Sequence, residues 1–559
     1  MAAFSFVLMT LAIISVYNAP MGKYEYSVYQ STPAIFWIAI ILGIVSGIAT
    51  LIFSYGKSRF FFSVGLFQLL ITNFVLITLY LYRGFIYLER FDSQTYVGFG
   101  KDIVQLGSIP DYNFYPIGSL IMAMTGMVTG QSVVMMSQLF PALFFTAYTL
   151  GILCWARAIS TKPLFVTSMM MAAIPIFFAW YIPTIYHETW CVLMLPFFFF
   201  ILQRCTTGKA SYKALAGLMV LFFVFGHPLV AVGALLVMFI TLLTQDLSRT
   251  KVRSISPSFL LFCVVILFGW IVFNAGLVRD LQNIVEQLMG LAVGASTLGT
   301  AQGQSSQMGI LSIVQSILVV TVDDLIYILL SLWVGIIILK NGWRTHPMTV
   351  TMACFLGGAA FLAVMVVFTY THNPFRMINL NFTMIFTIPL VGYLLYTFRK
   401  DKKRYRSQAL AALIVVCMVA TVFTMYQDPL EVYPNGALAK SEVVGNNWLI
   451  TEQENGSMTY VVLTNPIRFT SLSHDEIAVR QNSNLWNITE ASPHLDPFLN
   501  ANRTESMQYL IFSDYDVLAY TRTWAAADKY NASDFGSVTW STEVNHVYMS
   551  DCLTTYTRA

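Results

Sequence analysis

Charge is scarce in this sequence. Only 11% of its residues are charged against 57% hydrophobic, and the mean hydropathy is +0.66. Soluble domains carry about a quarter charged residues, so an ordinary cytosolic protein is excluded. The aromatic share of 15% excludes a disordered chain, which lacks apolar mass. Cysteine is sparse and scattered, at 154, 191, 205, 263, 354, 417 and 552. No two stand at CxxC spacing, which removes the usual zinc and redox motifs. Only Cys552 lies beyond residue 426, so that part has no internal disulfide. No nucleic-acid partner is expected.

What the chain has instead is apolar runs. They fall near 2–18, 34–55, 60–82, 132–155, 164–180, 189–203, 214–226, 229–244, 257–276, 324–340, 347–370, 376–397 and 408–426. Each approaches the length needed to cross a hydrocarbon core of about 30 Å. Residues 1–20 lack a basic leader and a small-x-small cleavage site, so they read as an uncleaved first helix. With the N-terminus inside, short inner loops collect 18 Lys and Arg and outer loops only 6, as the positive-inside rule requires. The expected fold is therefore an all-α polytopic domain of about 13 spans over residues 1–426. Its first long outer loop covers 83–131.

Charge also sets the domain boundary. Residues 1–426 hold 24 basic and 12 acidic side chains, and 427–559 hold 7 and 16. The odd span count places the acidic tail outside, as a small extracellular α/β domain with strands expected at 460–464, 509–513 and 546–550. Asn455, Asn487, Asn502 and Asn531 each open an N-x-Ser/Thr sequence, which suits an exported surface. Ten of the twelve acids before residue 427 face out, among them Glu89, Asp92, Asp102, Glu188, Asp323 and Asp324. Most are expected to be solvated.

Three outer segments stand apart. In the loop from Arg83 to Pro116, Tyr96, Phe99, Ile103 and Leu106 recur at 3, 4, 3, one apolar helical stripe. The spacing predicts a surface helix capped by Asp92 and ended by Gly107. A membrane-skimming helix should follow from Ile117. In YIPTIYHETW, Glu188 lies between two short apolar runs, below the outer surface, where an acid is costly unless it is paired or wet. The next hairpin turns at His227-Pro228. Together they predict an outward-facing funnel floored by His187, Glu188 and His227. Arg376, in THNPFRMINLNF, is the lone basic residue at the outer edge of the last five spans. There it is either a snorkelling anchor or a phosphate ligand.

These motifs resemble the GT-C membrane glycosyltransferases. The resemblance rests on FDSQTY, FYPIGSL, short paired helices with an acidic tip, and an extracellular tail. Its nearest branch comprises the protein O-mannosyltransferases and aminoarabinose transferases, with FGHPL, HNPFR and WLITEQ of an archaeal type. The resemblance implies transfer of a hexose or pentose from a polyprenyl-phosphate donor to a glycan, lipid or protein acceptor, with inversion, at the outer face of the cell membrane. It implies Asp92 as catalytic acid or base of the first outer loop and Glu188 as the second acid. Arg90, Lys101 and Arg376 are the donor-phosphate candidates, in rising order. His187, His227, Tyr96 and Tyr115 join them as substrate-binding candidates. No tightly held metal is expected, although Asp92 and Glu188 could share a divalent cation, and no other cofactor is implied. Asp92 is followed by Ser93 where the family has two adjacent acids, and Phe114-Tyr115-Pro116 replaces the usual Lys/His-Pro-Pro. The tail lacks the WWD-type signature of oligosaccharyltransferases, so en bloc transfer to Asn is not expected. Two readings from other classes stand beside it: a transporter, or a non-catalytic subunit of a membrane complex.

Overall fold

The structure, a computed structural model, describes all residues except 1, 87–88, 91, 249–253, 289–309, 369–380, 483–484, 486, 492, 496–507, 526–528, 542–544 and 559. Helices appear at all thirteen apolar runs, and seven of the described helices are long and apolar enough to cross a membrane. The chain is a multi-pass membrane protein with a small mixed domain at its C-terminal end. In order, the helices used below are α1 (Asp92–Leu106), α2 (Pro116–Thr129), α3 (Val133–Ile159), α4 (Pro163–Ala172), α5 (His187–Arg204), α6 (Ala210–Gly226), α7 (Pro228–Leu247) and α8 (Ile310–Lys340). In the tail, α9 is Lys440–Glu452 and α10 is Pro466–Ser473.

Two apolar runs are not single helices: 60–82 divides at Thr78 into Arg59–Ile77 and Leu79–Arg83, and 164–180 is cut short. The stretch 164–180 becomes α4, which stops at Ala172. Pro175 explains the stop: its ring and missing N–H disfavour helix at and before that position. Phe178 and Ala179 then turn with φ of 78° and 47°, and irregular chain continues to Tyr186. Such backbone survives at membrane depth only when buried in protein, and residues 174–190 are buried throughout. Its polar groups find partners from other helices. The Ile176 N–H donates to Thr421 Oγ1 at 3.0 Å, and the Tyr327 hydroxyl donates to the Ala172 carbonyl at 2.8 Å. Asp323 and Asp324, expected at a wetted outer edge, are instead 4% and 7% exposed within α8.

The tail folds around a five-stranded sheet in the order β2-β1-β3-β5-β4. The strands are β1 Met458–Val461, β2 Ile488–Glu490, β3 Gln508–Ser513, β4 Asn545–Met549 and β5 Leu553–Arg558. β1 runs parallel to β2 and β3, and β5 runs antiparallel to β3 and β4. Central β3 is buried on both faces, which is why QYLIFS has almost no polar alternation. β2 and β5 escape the sequence reading because ITE is too short and LTTYTR too polar.

Candidate active site

The sequence places α1 where the structure has it, and Gly107 ends it at φ 69°. Of the predicted stripe, Tyr96, Phe99 and Ile103 are buried, whereas Leu106 is half exposed. The opposite face is covered too. α1 is held between the membrane domain and the tail, so it does not lie free on a surface. Gly98 marks the closest approach: a Cβ there would meet Ser471 Cβ and its carbonyl oxygen at 3.2 Å and Glu476 Cγ at 3.1 Å.

The N-terminal end of α1 gathers three charged neighbours with different fates. Glu89 is fully buried, accepting the Tyr186 hydroxyl at 3.0 Å and the Ser93 N–H at 3.1 Å. That second bond caps the helix from three residues before Asp92. Burial, with the Asp92 charge adding to it, pushes the Glu89 carboxyl up to about 7. A cavity of about 10 Å³ between Glu89, Ser93, Gln138 and Thr184 has room for roughly one water. Arg90 is the second neighbour. Its two terminal nitrogens donate to Glu442 Oε1 and Oε2 at 2.8 and 2.9 Å, and one also to the Ala437 carbonyl at 3.0 Å. Its guanidinium lies 4.2 Å from the Tyr515 ring centroid. Burial works against its charge, but the Glu442 carboxylate holds its pKa above the ordinary value. Arg90 thus fastens the tail, and the structure does not place it toward a ligand.

Asp92 is the third. Arg468, on α10, donates from one terminal nitrogen to Asp92 Oδ1 at 3.0 Å and from the other to the Thr95 hydroxyl. Both side chains are 33% exposed. The far end of α1 is again structural. The Tyr112 hydroxyl donates to Asp102 at 2.7 Å, and the Ile477 N–H at 3.2 Å. Burial raises the Asp102 carboxyl. Lys101 donates to the Leu472 carbonyl, and burial lowers its pKa to about 8. This phosphate candidate is therefore also engaged in docking α10.

The expected funnel floor is closed. His187, Glu188 and His227 are 1%, 0% and 6% exposed. His187 stacks on Tyr96 with centroids 4.1 Å apart, and His227 on Tyr115 at 5.0 Å. Gly118 on α2 leaves the space for His187: a Cβ there would stand 2.2 Å from its ring. The two stacks join α1, α2, α5 and the start of α7, so four of the predicted residues do converge. Ser93 Oγ accepts from the Ile185 N–H at 3.3 Å, which ties the start of α1 to the coil leading into Glu188. The floor is closed by what packs on it: the Tyr96 and Tyr115 rings cover His187 and His227, and the irregular stretch leading into Glu188 is itself buried from residue 174 onward. Arg376 lies outside the described residues.

No group of three or more His, Cys, Asp and Glu side chains able to hold a metal occurs among the described residues. Sequence reasoning missed Arg468 and Glu442 altogether. Their only signal is weak: two charges in a tail where cations are the minority.

Neither a known family model nor a curated protein matches the chain. Solved structures resemble it at low identity. The Archaeoglobus fulgidus oligosaccharyltransferase in complex with zinc and sulfate is 12% identical, with a TM-score of 0.47 over 84% of this chain and 70% of that one. ArnT from Cupriavidus metallidurans bound to undecaprenyl phosphate is 9% identical, with a TM-score of 0.49 over 89% of this chain and 98% of that one. Both scores lie below 0.5.

Proposed function

We propose that this chain is a membrane glycosyltransferase that moves a sugar from a polyprenyl-phosphate donor to an acceptor at the outer membrane face, with Asp92 as general base. One observation carries the assignment of the base. Of the four acids that the membrane domain places on or beside α1 and the start of α5, Glu89, Asp102 and Glu188 are 0% exposed, while Asp92 keeps a third of its side chain open beside a guanidinium. A base must reach the acceptor proton directly or through one water, and Asp92 alone of the four has that access.

The step follows from single displacement. The acceptor hydroxyl oxygen bonds to the anomeric carbon while the bond from that carbon to the phosphate oxygen breaks. The acceptor proton passes to Asp92, and the departing polyprenyl phosphate takes the bonding electron pair. Attack from the face opposite the leaving group inverts the anomeric centre. His187, stacked on Tyr96, positions α1, and His227, stacked on Tyr115, positions the start of α2. The inner-loop excess of Lys and Arg supports a cytoplasmic N-terminus and an extracellular tail.

Mass spectrometry of surface glycans and lipids, with and without the gene, tests the reading and identifies the product. A glycosylated species should vanish on deletion, return with the wild-type gene, and stay absent with Asp92→Asn. Full restoration by Asp92→Asn would sink the mechanism.

A further inference from the structure

We infer that Arg468, supplied by the tail domain, is the donor-phosphate ligand, and that it exchanges its resting bond with Asp92 for the phosphate when donor binds. This rests on the polyprenyl-phosphate reading above, but it is read out by binding and so can fail or stand independently of Asp92 as base.

The position of Arg468 is built rather than incidental. α10 starts at a Pro, and the Asn465 side chain accepts the Ile467 N–H at 3.0 Å, which fixes the first turn. Phe469 and Leu472 are buried in one apolar cluster with Tyr96, Val97 and Trp180. Gly98 lets α10 approach α1 closely. The backbone of Arg468 is thereby anchored while its tip stays partly wet.

Among the described residues, the other cations of this contact are held by buried or backbone partners or stacked on a ring. Arg90 is locked bidentately to Glu442 in a buried pair, and Lys101 donates into the backbone of α10. Arg480 lies over the Tyr112 ring at the Asp102 end. Arg468 touches Asp92 through one terminal nitrogen at a half-open site, and exposed ion pairs of this kind are weak and exchangeable. A phosphate offers the same guanidinium a bidentate seat, which is stronger and geometrically matched. Displacement at a sugar carbon puts base and leaving phosphate on opposite faces of one ring, a few ångströms apart. A long side chain anchored beside the base spans that distance. As the anomeric bond breaks, a phosphodiester becomes a monoester and gains negative charge, so the guanidinium favours the transition state over the ground state.

The test is the affinity of the full-length protein in nanodiscs for undecaprenyl phosphate. Arg468→Ala should weaken binding tenfold or more, Arg468→Lys should recover part of the loss, and Arg480→Ala should change it less than twofold. Asp92→Asn should bind as tightly as wild type or tighter, since it releases Arg468. Undecaprenol, which lacks the phosphate, should bind wild type and Arg468→Ala alike. An Arg468→Ala protein within twofold of wild type overturns the proposal, and so does an equal loss for undecaprenol, which would make Arg468 structural. Tenfold weaker binding by Asp92→Asn overturns the exchange. Displacement of the lipid by micromolar inorganic phosphate overturns the lipid donor as the source of the phosphate.

Discussion

Two arginine–carboxylate pairs stand at the start of the same helix and are built in opposite ways. Arg90 and Glu442 are 5% and 0% exposed and joined by two parallel hydrogen bonds, with aromatic rings beside the guanidinium. Asp92 and Arg468, two residues further along, are each 33% exposed and joined by one bond. Both pairs connect the membrane domain to the tail. Burial makes the difference between them. A buried pair cannot exchange partners, because each charge would be stranded in low dielectric, whereas a half-wet pair can give one up to a ligand. The first pair fixes where the tail sits, and the second lies where chemistry needs access.

The largest effect should separate them cleanly. Asp92→Asn keeps the shape and hydrogen-bonding capacity of the position and removes the base. Transfer should fall by roughly 10²–10⁴, the usual contribution of a positioned general base, while the melting temperature stays near wild type. Arg90→Ala should do the reverse. It leaves Glu442 buried without its cation, which costs roughly 3–5 kcal/mol, seen as a lower melting temperature or a tail open to protease. If Arg90→Ala were as stable as wild type and dead in transfer, the two pairs would have to trade roles.

Glu89 sharpens the contrast from the other side, as a carboxylate fully buried beside the same helix, where it accepts the Tyr186 hydroxyl and the Ser93 N–H. Its folded pKa of about 7 lies above the 4.5 of a solvated glutamate. Between those values the folded state binds more protons than the unfolded state, so stability falls as pH rises. The contribution is fully present below about pH 4.5 and is lost as pH passes about 7. The shift corresponds to roughly 3 kcal/mol. Glu89→Gln should keep the Tyr186 and Ser93 bonds, flatten this slope, and be more stable than wild type at pH 8. Thermal melting of the two proteins from pH 4.5 to 8 measures it. A wild-type slope of zero would show that Glu89 stays ionised.

What was legible in the sequence follows the same division. Helix α1, its Gly107 end and the short helix α2 after it follow from period and punctuation, because these signals are local. The break at Pro175 was not legible, since Pro141, Pro196 and Pro389 sit inside helices in the same chain. Only the packing of Tyr327 and Thr421 against the broken ends separates Pro175 from them. Asp92 could be singled out because an acid at a helix start is a local signal. Its partner is 376 residues away and that of Arg90 is 352 away, so no spacing could reveal either. Glu89, Asp323 and Asp324 were misjudged as solvated for a related reason: burial is a property of what packs over a residue, and one strand of sequence does not contain it.

The smallest expected effect tests whether the site works by contact or by general positive charge. Lys101 and Arg468 both lie on the contact between α1 and α10, and the family resemblance offered Lys101 as a phosphate ligand, second to Arg376. The structure has its ammonium group donating to the Leu472 carbonyl. Nine residues of helix separate it from Asp92, about 13 Å at 1.5 Å per residue. Over that distance a unit charge in water contributes about 0.3 kcal/mol, and less once salt screens it. Lys101→Gln preserves a donor for Leu472 and removes the charge. It should therefore change undecaprenyl phosphate affinity less than twofold, and raising salt from 50 to 300 mM should change wild type and variant alike. A loss as large as that expected of Arg468→Ala would mean that the whole α1–α10 surface attracts phosphate by its field, and the distinction between a fastening pair and a working pair would no longer hold.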